Sequence, residues 1–161
     1  MQISTITTKY DPDQDRIILA VADTAEVTLK LWLTRRLTQR LIPALLQGLQ
    51  DQISAPPDAQ PQALEAANVY AQLQARITKK PAHAVQTQDA TAQHLVTEIG
   101  IQVGKQGAKT LEFRCAELPE PAILSLNATE LRQWLEVLKH ANDKGQWQLD
   151  VFPDWLAAAA S

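Results

Sequence analysis

The sequence predicts an α+β fold in which a βββα unit occurs twice, with antiparallel sheets bridged by a helix and a flexible tether. Residues 2–53 have the pattern of three strands followed by a helix, and residues 94–142 have the same pattern at similar lengths. In each unit a predicted helix starts directly after the third strand, which ends at Leu33 or at Leu126. The units share few identical residues, so the prediction depends on the order and spacing of elements. We expect one compact domain over residues 1–161.

The strands of both units are predicted from alternating aliphatic residues bounded by turn residues. In the strand 26–33, the period of two places aliphatic residues on a core face, and Lys30 and Trp32 on the opposite face. We expect another layer, the second unit or the middle helix, to cover Trp32; an exposed indole would instead suit stacking or anchoring of a partner. The predicted strands span residues 3–10, 16–22, 26–33, 95–103, 111–117 and 123–126, and an extra strand spans 146–152.

Two of the predicted helices carry a broad apolar stripe that faces a core. The first runs from Thr34 to about Ile53 and contains Pro43, which predicts a kink near Gln39 or two helical pieces. The second of these helices follows Asn127, and Glu130 three residues later predicts a capping box. Its apolar positions include Trp134, which we expect to be buried, and Cys115 in the preceding strands is expected to be a small core residue.

The segment between the units differs in composition. Residues 54–60 form a Pro-containing linker, and a bridging helix is predicted over 61–79. Residues 80–93 are polar and predict a flexible tether, and the tail 153–161 is expected to dock on its own chain. By default the narrow apolar stripe of the bridging helix would pack within the chain; the alternative is that it pairs with itself in a dimer. This stripe consists of Ala63, Ala66, Tyr70, Leu73 and Ile77.

The strongest candidate site is a group of basic residues where the third strand meets the first helix. The opening turns of that helix contain three arginines and no acid, although the positive end of a helix dipole disfavours cations. One interpretation is a binding surface for an anion or for an acidic partner segment. The other is internal salt bridging to acids such as Asp13, Asp15 or Glu112, with the remaining arginines solvated. The candidate residues are Arg35, Arg36, Arg40, Lys30 and Trp32.

Composition narrows the possible functions. The chain has 161 residues, a net charge of −3 and a pI of about 5.6, so no overall positive field attracts nucleic acid or an anionic membrane. It has one cysteine, three scattered histidines and five glycines. These predict neither a metal site nor a phosphate-binding glycine loop, and no cofactor is implied. The first residues lack the features of a secretion signal, and we expect a cytoplasmic protein without membrane contact.

These observations favour a non-catalytic binding or assembly module that has a protein partner and forms homo-oligomers. The alternative is a single-stranded nucleic-acid-binding protein, because duplicated antiparallel sheets backed by helices also serve that function. The basic residues beside Trp32 support this alternative, while the acidic net charge and the aromatic content of 5% oppose it. A third possibility is an enzyme whose site has no recognisable motif.

Overall fold

The computed structural model describes residues 1–49, 53, 56, 58–86 and 92–160, without the side chains of residues 158–160. Within this part of the chain the protein is mixed α+β, with a six-stranded sheet and four helices. The strands are β1 (Thr5–Asp11), β2 (Arg16–Ala22), β3 (Thr28–Leu33), β4 (Gln93–Val103), β5 (Lys109–Cys115) and β6 (Ala122–Leu126). The helices are α1 (Arg35–Leu46), α2 (Pro61–Ile77), α3 (Ala128–Lys144) and α4 (Asp154–Ala160).

The strands follow one another across the sheet in sequence order. Every neighbouring pair is antiparallel except β3 and β4, which run parallel from the pair Lys30 and Gln93 to the pair Trp32 and Leu95. Helix α1 follows β3 and helix α3 follows β6. This order confirms the α+β prediction, while the duplication of a βββα unit stays a prediction.

The two edge strands of the sheet approach each other at one end. Gln2, ahead of β1, forms a parallel bridge with Ile123 in β6. The Ile3 amide donates to the Ile123 carbonyl at 2.8 Å, and the Ser4 amide donates to the Ala22 carbonyl in β2 at 2.8 Å. The first residues therefore link the two edges, and the sheet curls around the helices on its inner face.

The inner face of the sheet packs against α1 and α3. Trp134 of α3 is 5% exposed, its indole N–H donates to Thr8 Oγ1 at 3.0 Å, and its ring meets the edge of Phe113. Cys115 is also buried, and burial raises the pKa of its thiol. Both core predictions are therefore confirmed. Other core residues include Ile17, Leu19, Val21, Leu31, Leu33, Leu41, Ile42, Leu45, Leu111, Leu124, Leu131, Leu135 and Leu138.

The helix ends agree only partly with the sequence. The capping box of α3 is confirmed, because the Asn127 side chain accepts from the Glu130 amide and the Glu130 carboxylate accepts from the Asn127 amide. Helix α1 continues through Pro43 as one helix, so the two-piece alternative is wrong. It ends at Leu46, short of the predicted Ile53, because the chain becomes extended at Gln47.

The extra strand predicted over 146–152 is wrong. Gln146 and Gln148 have φ values of 51° and 55°, which a strand does not allow, and the segment consists of turns and irregular backbone. The alternation that suggested a strand has another cause. Trp147 and Leu149 are buried in an irregular segment, and the Leu149 amide donates to Asn142 Oδ1 of α3 at 3.3 Å.

The predicted tail and the predicted tether both contact the rest of the chain. The predicted tail forms α4, which packs against α2 and buries Leu156 completely, so docking on its own chain is confirmed. In the predicted tether, the Val85 side chain is buried, and its amide donates to Thr7 Oγ1 of β1 at 2.9 Å. The end of the tether, Gln93, already belongs to β4, and residues 87–91 lie outside the described part.

Candidate partner-binding site

Trp32 lies partly buried on the outer face of the sheet. Its indole N–H donates to Gln93 Oε1 at 3.2 Å, and Lys30 Nζ lies 5.7 Å from the ring centroid. Leu95 is the register partner of Trp32 on β4. Residues from the second half of the chain therefore cover part of the Trp32 side chain. Helix α2 packs against α3 and α4, and its expected contact with Trp32 stays a prediction.

Arg35 has an internal role. Its guanidinium donates to the Trp147 carbonyl at 2.5 Å, and the Trp147 indole N–H donates to Asp15 Oδ1 at 2.6 Å. The Tyr10 hydroxyl donates to the same carboxylate oxygen at 2.7 Å. These two hydrogen bonds, Trp147 first, and then the charge of Arg35 lower the pKa of Asp15. Arg35 therefore connects the start of α1 to the segment after α3 and to the β1–β2 turn.

Arg36 and Arg40 lie one helical turn apart and are exposed. Within the part of the chain that the structure describes, neither side chain forms an ion pair or a hydrogen bond. Glu112, which was expected as an internal acid, pairs with Arg114 at 2.6 Å. The structure therefore leaves these two arginines solvated, as the second interpretation expected of arginines outside internal contacts. Their binding role stays a prediction.

The different roles of neighbouring arginines predict different effects of substitution. Arg35→Gln should lower the free energy of unfolding by roughly 0.5 to 1.5 kcal/mol, because the hydrogen bond to the Trp147 carbonyl is lost. The matched variant Arg36→Gln should change it by less than about 0.5 kcal/mol. Urea denaturation followed by circular dichroism measures both. Equal losses in the two variants would contradict the assignment of Arg35 as the structural residue.

Helix α2 packs on α3 through a polar face. Asn68 and Gln72 are 2% and 1% exposed, and the Gln72 amide donates to the Arg132 carbonyl at 2.9 Å. Arg76 forms an ion pair with Glu136 of α3. These residues of α2 recur every four positions, so they form one row along the helix. The row attaches α2 to α3 by hydrogen bonds and charge.

Arg132 of α3 joins three helices. Its side chain is 4% exposed, and burial lowers its pKa. The guanidinium donates to Asn68 Oδ1 of α2 at 3.0 Å and lies over the Trp155 ring of α4, 5.1 Å from the centroid. The same side chain therefore holds α2 and α4 on the outer surface of α3.

The opposite face of α2 is apolar and exposed. Tyr70, Leu73 and Ile77 are 65%, 39% and 75% exposed, so the default expectation that this face packs within the chain was wrong. The physical reason is that the polar row on the other side makes the contacts with α3. Six large apolar side chains are exposed in the described residues, and three of them lie on this face. We call Ala63, Ala66, Tyr70, Leu73 and Ile77 the α2 stripe.

Among the described residues, no three His, Cys, Asp or Glu side chains are grouped so that they could hold a metal ion. Within the same ranges, no helix combines the length and apolar character needed to cross a membrane. Comparison with protein-family models, with curated proteins and with solved structures gave no significant match to this chain.

Proposed function

We propose that this protein is a non-catalytic assembly module of the cytoplasm, and that it associates with a second copy of itself through the α2 stripe. The supporting observation is that α2 buries a polar row and exposes an apolar one, the reverse of an ordinary amphipathic surface helix. Exposed apolar side chains gathered on one face are typical of protein–protein contact sites. The spacing of three and four residues along the stripe suits pairing with another helix.

The residues beside the stripe favour a second copy as the partner. A symmetric pair places the same surface on both sides, so charges beside the stripe would meet like charges. The flanking residues Gln62, Ala67, Val69 and Gln74 are uncharged. The nearest charged residues of α2, Glu65 and Arg76, lie toward the polar row, and Arg76 already pairs with Glu136 of its own chain. A second copy therefore meets little electrostatic repulsion along the stripe.

Sedimentation equilibrium of the full chain tests this proposal. Two helices that pair along one stripe form an interface at or below the standard size, so we expect a dissociation constant on the order of micromolar. Ile77→Glu places a carboxylate in that interface and should raise the dissociation constant at least about tenfold. The matched control is Val103→Glu, which changes another exposed aliphatic residue, 67% exposed on β4. This control should leave the dissociation constant unchanged. A wild-type chain that stays monomeric at high micromolar concentration would refute the proposal.

Single-stranded nucleic-acid binding receives less support as a second candidate. In its favour, Lys30 and Trp32 lie together on the sheet face opposite the helices. Against it, the Trp32 indole N–H is bonded to Gln93, and Arg35 is bonded to Trp147. The neighbouring strands also place carboxylates, such as Glu112, on the same face.

We also propose that the fold arose from two copies of one βββα unit. The order of three strands and a helix on both sides of α2 supports this duplication. The parallel pairing of β3 with β4 is where the two units would join into one sheet.

A further inference from the structure

We infer that two copies of the chain pair along α2 in an antiparallel orientation. This inference rests on the proposed self-association and adds the geometry of the contact. The α2 stripe and the polar row of Asn68 and Gln72 lie on nearly opposite sides of the helix. A second copy can therefore contact the stripe while α3 keeps its contacts with the polar row.

The charges at the two ends of α2 favour the antiparallel orientation. Asp58 precedes its N-terminal end, whereas Lys79 and Lys80 follow its C-terminal end, and all three are exposed. In a parallel pair each end would meet the same charge on the other copy. In an antiparallel pair the acidic end of one copy lies beside the basic end of the other, and the helix dipoles also attract.

The sizes of the side chains in the stripe favour the same orientation. The N-terminal half of the stripe has the small residues Ala63 and Ala66, and the C-terminal half has the large residues Tyr70, Leu73 and Ile77. A parallel pair would place alanine on alanine at one end and crowd isoleucine on isoleucine at the other. An antiparallel pair centred on Tyr70 places Ala63 opposite Ile77 of the second copy and Ala66 beside Leu73, so each small residue meets a large one.

Cysteine cross-linking of the full chain distinguishes the orientations. Ala63→Cys and Ile77→Cys are made separately in a Cys115→Ala background, so that each chain carries one introduced thiol. Under mild oxidation, the yield of disulfide-linked dimer should be at least about fivefold higher in the mixture of the two variants than in either variant alone. The reason is that a disulfide forms only between two thiols that lie close together. The control Glu65→Cys lies on α2 away from the stripe and should not cross-link with either. If the background variant does not fold, the same pairs are used with the buried Cys115 retained.

The outcomes separate this inference from the proposal on which it rests. Cross-linking of each variant with itself, and no mixed dimer of the two variants, would show a parallel pair and overturn the inference while leaving self-association intact. A dimer in sedimentation without any cross-linking would show that another surface forms the contact, which also overturns it. A monomer in sedimentation would refute the proposed function itself.

Discussion

Replacing Trp134 with alanine is expected to lower the free energy of unfolding by roughly 3 to 5 kcal/mol. The side chain is 5% exposed and lies between α3 and the sheet, where removal of the indole leaves a cavity. Thr8 Oγ1 also loses the hydrogen bond from the indole N–H, and Phe113 loses an edge contact. Urea denaturation followed by far-ultraviolet circular dichroism measures the loss.

The variant Trp134→Phe separates the volume of the side chain from its hydrogen bond. Phenylalanine fills most of the space but has no donor for Thr8, so we expect a smaller loss of about 1 to 2 kcal/mol. If Trp134→Ala costs less than about 1 kcal/mol, the residue is not enclosed as described. Equal losses in both variants would mean that the hydrogen bond, rather than the cavity, accounts for the stability.

The parts of the fold that the sequence predicted depend on local signals. The period of two along β5 placed Cys115 on the core face, and the structure buries it. The start of α3 followed from Asn127 and Glu130, which bond to each other across three residues. Contacts between neighbours in the chain can be inferred from spacing, because the geometry of a helix or strand fixes them.

The failed predictions concern contacts between distant residues. The spacing in α2 showed an apolar stripe, but which side of the helix is covered depends on Arg132 and Glu136, about 60 positions away. The polar row of Asn68, Gln72 and Arg76 was visible as residues four apart, and it was the available signal for the buried side. A buried hydrogen-bonding row can determine how a helix packs when its partners are placed to match.

The role of Arg35 was hidden for the same reason. Its acceptor is the Trp147 carbonyl, 112 residues away, and that segment was predicted to be a strand. The positive φ values of Gln146 and Gln148 turn the chain there, although glutamine gives no sequence signal for this conformation. The site prediction therefore treated Arg35 and Arg36 alike, and the structure separates them.

Removing the side chain of Arg132 is expected to release α2 and α4 from α3. Arg132→Ala removes the donor to Asn68 and the cation over the Trp155 ring, and it leaves the buried Asn68 Oδ1 without its donor. We expect the free energy of unfolding to fall by roughly 2 to 4 kcal/mol, from the unpaired acceptor and the lost stacking together. The variant Arg132→Met keeps most of the apolar stem, so its loss should be smaller.

Hydrogen exchange followed by mass spectrometry shows where the loss acts. Amides of α2 and α4 should exchange faster in Arg132→Ala while those of β2 and β5 keep their protection, because the hydrogen bond and the ring contact of this side chain are made with α2 and α4. A uniform increase across the sheet, with α2 no faster than the rest, would contradict the role given to Arg132.

The proposed self-association should weaken in the same variant, since the α2 stripe then lies on a helix that is no longer fixed. Because Arg132 is buried beneath α2, on the side away from the stripe, weakened association would come from the loss of a rigid surface rather than from a lost contact.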